Sequence, residues 1–131
     1  MTAPMATLLY AGLAGILFVV LSGRVIRLRY VRKVGIGDGG HADLEQAIRV
    51  HANFAEYVPL SLLLISFVEA AGYAAAAVNG LGIALILARI AHAFGLTRST
   101  GTSVPRFLGT SVTFAVILIS AALCLLAYGS S

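Results

Sequence analysis

Four apolar stretches divide the chain. They cover about residues 4–30, 44–71, 73–96 and 105–128, each long enough for the roughly 20 helical residues that cross a bilayer. The breaks between them carry turn chemistry. Gly35-Ile-Gly-Asp-Gly-Gly40 reads as a flexible turn. Asp43 is placed to N-cap the second helix, with Gln46 three residues on to complete a capping box. Asn79-Gly80 is expected to interrupt the start of the third helix, and Pro105 suits the first turn of the fourth. The pattern predicts an all-α integral-membrane four-helix bundle, with residues 1–131 as one four-span domain.

Composition agrees with that class. The chain is 60% hydrophobic and 11% charged, whereas a soluble domain is about a quarter charged. The formal net charge of +4 comes without a basic patch interleaved with aromatics, and nucleic acid is set aside as a partner. Cys124 is the single cysteine, so no intramolecular disulfide forms, and it reads as a small apolar core residue. The first run lacks a basic segment before it, and its cations follow it. It is read as an uncleaved span, not a signal peptide.

The cations also set an expected orientation. Arg24, Arg27, Arg29, Arg32 and Lys33 lie at the first connection, and Arg98 and Arg106 at the third. The second connection has no charge. By the positive-inside rule the first and third connections are cytosolic and both termini lie outside, as in a bacterial inner membrane. Arg49, Asn53 and Glu56 then fall in the cytosolic half of the second helix, and Arg89 and His92 in that of the third. Glu69, near the other end of the second helix, is expected at the headgroup interface.

Arg49, Asn53 and Glu56 are spaced i, i+4, i+7 and fall within roughly 60° on one helix face. Ionisable groups inside a membrane helix cost several kcal/mol and normally face a cavity or a partner. Each has a structural reading. Arg49 and Glu56 would form a buried ion pair, Asn53 would bond another helix, Arg89 would snorkel to the interface, and His92 would pack. His41, His51 and His92 lack metal-ligand spacing, His51 points about 160° away from Arg49, and no metal site is predicted. Gly37-Asp-Gly-Gly40 lacks Gly-Lys-Ser/Thr and follows no strand, so it is no phosphate cradle.

Taken together, the same groups suit a ligand with several carboxylates and one amine. Arginine takes carboxylates bidentately, and Glu56 is placed for an ammonium. A thiol beside an arginine ionises more readily than its usual pKa of about 8.5 allows. Glutathione has two carboxylates, one amine and one thiol.

The run Leu44-Glu-Gln-Ala-Ile-Arg49-Val-His-Ala-Asn53-Phe-Ala-Glu56-Tyr57-Val-Pro59, preceded by Gly37-Asp-Gly-Gly40 and followed in the third span by Ala88-Arg89-Ile-Ala-His92, resembles the MAPEG family. These are the membrane-associated proteins in eicosanoid and glutathione metabolism, and the likeness is to short bacterial members over nearly the whole chain. The resemblance implies a homotrimer of four-helix bundles with glutathione held between subunits. It implies that Arg49, Asn53, Glu56 and Tyr57 hold glutathione, that Arg29 reaches in from a neighbour, and that Arg89 and His92 line the same cleft. It further implies that Arg106, or alternatively Arg98, stabilises the thiolate, and that Pro59 kinks the second helix. Leu96 stands where transferases of the family carry tyrosine.

Three functions are consistent with these features. The first is a glutathione transferase or peroxidase acting on a lipophilic electrophile or hydroperoxide from the bilayer. The second is a non-catalytic protein in which the polar stripe locks the assembly. The third is a four-span transporter, for which the first span lacks an acid.

Overall fold

The computed structural model describes residues 4–98 and 103–130, apart from the side chains of residues 94 and 96–98. Four helices make up the described chain: α1 (Met5–Arg32), α2 (Ala42–Ala70), α3 (Ala75–Arg98) and α4 (Val104–Gly129). Each is long and apolar enough to cross a membrane. Helix α2 packs against the other three, and α3 lies along α4, while α1 touches α2 and α3 but not α4.

The core is built from one stripe of each helix. Ile65 and Val68 of α2 meet Val78, Leu81 and Leu85 of α3 and Val116 of α4. A second cluster joins Ala14 of α1 to Phe54 and Val58 of α2. The remaining apolar surface, including Leu8, Ile16, Val19, Leu118 and Leu125, is exposed, as suits side chains facing lipid.

Glycines decide how close the helices come. A Cβ on Gly82 would strike the ring of Tyr10, so α1 rests its tyrosine directly on the α3 backbone. There Tyr10 Oη donates to Asn79 Oδ1 at 2.6 Å. Asn79 Nδ2 in turn donates to Ala75 O at 2.8 Å. Asn79-Gly80 therefore does not interrupt α3. The asparagine is absorbed into the helix because both ends of its amide find partners.

One further expectation changes. Helix α2 begins at Ala42 with His41 as its N-cap, and no side chain caps it. Asp43 thus lies inside the first turn, where it pairs with Arg32 at 2.9 Å and makes no capping box. Glu69, at the end of α2 beside the start of α1, is tied to that helix. Its Oε1 accepts from Ala6 N at 2.7 Å. Its Oε2 accepts from Thr7 N at 2.8 Å and Thr7 Oγ1 at 2.7 Å. The carboxylate caps the N-terminus of α1, where free N–H groups and the helix dipole favour an anion.

Candidate functional site

The polar groups gather at the end of the bundle that carries the basic residues. Arg49, Ala52, Asn53 and Glu56 occupy positions i, i+3, i+4 and i+7 of α2, so one face of that helix presents all four. His92 of α3 and Arg106 of α4 close the opposite wall. These six residues line a narrow cleft of about 50 Å³. Ala52 leaves the space, since a longer side chain between Arg49 and Glu56 would fill it.

Arg49 and Glu56 are both exposed. They form no ion pair, and the one ion pair among the described residues is Arg32–Asp43. The buried Arg49–Glu56 pair considered from sequence is therefore not formed. The side chains lie two turns apart on α2, both exposed at the cleft.

Arg106 is set by the start of α4. Ser103 Oγ accepts from Arg106 N at 3.4 Å as the N-cap, and Pro105 occupies the first turn. A Cβ on Gly95 of α3 would lie 2.7 Å from Arg106 N, so only glycine allows that turn to lie on α3. Gly109 repeats the arrangement one turn on, where a Cβ would lie 2.6 Å from Ala88 O and 2.8 Å from His92 N.

Behind the cleft lies Arg89, only 2% exposed. Its Nη2 donates to Asn53 Oδ1 and lies 3.3 Å from His92 Nδ1. Its Nη1 donates to Thr113 Oγ1 at 3.4 Å. Arg89 therefore does not snorkel. It ties α2, α3 and α4 together from inside, and its Nε has no hydrogen-bond partner. No carboxylate forms an ion pair with it among the described residues.

The other residues singled out from sequence lie elsewhere. Arg29 of α1 donates to Gly37 O at 2.7 Å and is absent from the cleft of its own chain. Tyr57 packs edge-on against Phe114, with ring centroids 5.5 Å apart, and also lies outside the cleft lining. The side chain of Arg98 lies outside the described residues. His51, on the far face of α2, sits 2.9 Å from Ser22 Oγ and stacks on Phe18. Thr113, Gly95 and Gly109 were not singled out, because nothing in the α3 and α4 patterns marks which small residues face the other helix.

Chemically, the cleft offers two guanidinium groups, an amide, an imidazole and one carboxylate. It can hold an anionic group and, at Glu56, a cationic one. A volume of about 50 Å³ is far below the roughly 300–1,000 Å³ of sites that enclose a whole small molecule. The cleft of one chain therefore has room for no more than a single carboxylate or ammonium.

The MAPEG family model matches residues 7–126. The chain is also 40% identical over 91 residues to the protein called Inner membrane protein YecN of Escherichia coli (strain K12), a match covering 70% of each chain. The protein of the same name from Escherichia coli O6:H1 (strain CFT073) matches to the same extent. With four apolar spans and a family match from the first turn of α1 to the last turns of α4, the chain is a multi-pass membrane protein and belongs to the MAPEG family.

Proposed function

We propose that the protein is a glutathione transferase or peroxidase of the bacterial inner membrane. In this reading it works as a homotrimer, and glutathione lies in the Arg49–Asn53–Glu56 cleft on the cytosolic side. The observation that carries the reading is the cleft itself, with Arg49, Asn53, Glu56, His92 and Arg106 converging from three helices. Its charges complement a tripeptide with two carboxylates and one ammonium. The guanidinium groups take carboxylates, and Glu56 takes the ammonium.

Because one chain encloses too little volume for the tripeptide, a second copy supplies the rest of the wall. Arg29 and Tyr57, both absent from the cleft of their own chain, are the residues assigned to that completed site. Arg106 stabilises the thiolate by its charge. The sulfur then attacks a lipophilic substrate that arrives through the bilayer. At an electrophilic carbon it forms a thioether as the leaving group departs. At a hydroperoxide it breaks the O–O bond, releasing the alcohol and leaving glutathione as the sulfenic acid, which a second glutathione reduces to the disulfide and water. Arg49→Ala is expected to weaken glutathione binding, and Arg106→Ala mainly to lower turnover. Equal activity in both variants would contradict the assignment.

A second reading is favoured by the Arg89 network. A buried guanidinium bonded to Asn53, Thr113 and His92 holds three helices together whether or not a ligand binds. In that reading the polar stripe is purely structural. Asn53→Ala, which removes an acceptor of Arg89, then lowers stability, and glutathione has no effect on melting.

A further inference from the structure

Arginine can only donate hydrogen bonds. Whatever faces the Arg89 guanidinium must therefore accept, and two of its partners, Asn53 and His92, also line the cleft. We propose that Arg89 is a positioning residue that fixes the polarity of the cleft floor. By occupying Asn53 Oδ1 and His92 Nδ1, it turns Asn53 Nδ2 and His92 Nε2–H outward as donors. The floor then receives a carboxylate, carbonyl or thiolate and disfavours an ammonium.

Each step follows from hydrogen-bond bookkeeping. His92 Nδ1 lies 3.3 Å from a guanidinium nitrogen and so must carry a lone pair. A neutral imidazole with a bare Nδ1 bears its proton on Nε2. Asn53 meets the same nitrogen with Oδ1. The flipped amide would set two donors against each other and leave the buried guanidinium without that acceptor, which costs the unmade bond. Thr113 is held the same way. Its hydroxyl proton goes to Gly109 O at 2.7 Å, leaving its oxygen to accept from Arg89.

The charge makes the arrangement durable. Arg89 is buried, Nε is unbonded, and no carboxylate pairs with it among the described residues. A cation in this setting holds its acceptors more firmly than a neutral donor would. It also leaves positive charge behind a floor made of donors. Glu56 at the mouth is then the one acceptor side chain of the lining, and an ammonium is directed there. The orientation of the ligand is set accordingly, with acceptor groups inward and the amine at Glu56. This last step rests on the cleft being a ligand site; the tautomer of His92 does not.

The test is imidazole NMR of the histidine-labelled full-length protein in detergent at neutral pH, with His92→Gln to assign the signal. His92 is expected as the neutral Nε2–H tautomer, shifting to a tautomer mixture in Arg89→Met. An Nδ1–H tautomer, or a signal unchanged by Arg89→Met, overturns the proposal.

Should Arg89→Met not fold, Asn53→Asp serves instead. It keeps an acceptor for Arg89 and adds a counter-charge, so melting without ligand is expected to hold or rise. It removes the outward donor, so glutathione affinity is expected to fall about tenfold or more, the scale of one charge-assisted bond. Undiminished affinity in Asn53→Asp overturns the proposal. Absence of glutathione binding in the wild type is a different result: it refutes the transferase reading, while the tautomer measurement still decides the role of Arg89.

Discussion

Gly109 of α4 lies so close to His92 of α3 that a Cβ on the glycine would be 2.8 Å from the His92 backbone nitrogen. This contact sets the depth at which α4 enters the bundle. It brings Thr113, one turn along, within reach of Arg89, and places Arg106 opposite Arg49 across the cleft. Helix packing and cleft geometry are thus set by the same contact.

Gly109→Ala is expected to be destabilising despite the favourable helix propensity of alanine. The obstacle is backbone, which cannot rotate away, so α3 and α4 must separate. The cost is on the order of 1–3 kcal/mol, typical of overpacking. Thermal melting in detergent should show it, and any glutathione-induced shift should shrink with it. A variant as stable as wild type would mean that α4 has other ways to dock.

Gly82→Ala tests the corresponding contact at the opposite end. The added methyl would collide with the Tyr10 ring and break the Tyr10–Asn79 bond. Stability should fall, but the cleft lies at the other end of the bundle. Glutathione affinity, measured well below the melting temperature, is expected to stay at the wild-type value.

Glu69→Gln removes the charge that caps α1 and leaves one acceptor oxygen where two serve three donors. The expected loss is about 1 kcal/mol, the size of an N-cap. Faster protease cleavage near the N-terminus would report fraying of α1. Arg32→Ala is the contrasting case. The Arg32–Asp43 pair is the only ion pair among the described residues, but both side chains are largely exposed. Little change in melting is expected, since water and salt screen such pairs.

The helices were legible because each contains a window of bilayer length that is apolar with few charges, and such a window has few alternatives. Boundaries were less so. Asp43 has the chemistry of a cap, but the helix starts at Ala42 and the carboxylate finds Arg32 instead. Asn79 looks like a breaker until Tyr10, 69 residues away in sequence, donates its hydroxyl proton to the asparagine side chain.

The α2 stripe could be read from spacing alone, because i, i+4, i+7 defines one face whatever the neighbours are. What lies opposite that face could not. Arg89 and His92 are three residues apart on α3, yet only His92 lines the cleft. A helical wheel gives direction but not depth, and depth here is set by Gly95 and Gly109. The partner of Glu69 was hidden for the same reason, since it is the backbone end of another helix, which leaves no side-chain signature.

The most direct test of the transferase account is the melting temperature of the detergent-purified protein with and without millimolar glutathione, beside S-hexylglutathione and an Arg49→Ala control. The account predicts a rise in wild type that is lost in the variant, because binding to the native state alone stabilises it. No shift in wild type, or the same shift in Arg49→Ala, would contradict it and leave the polar stripe as a structural network.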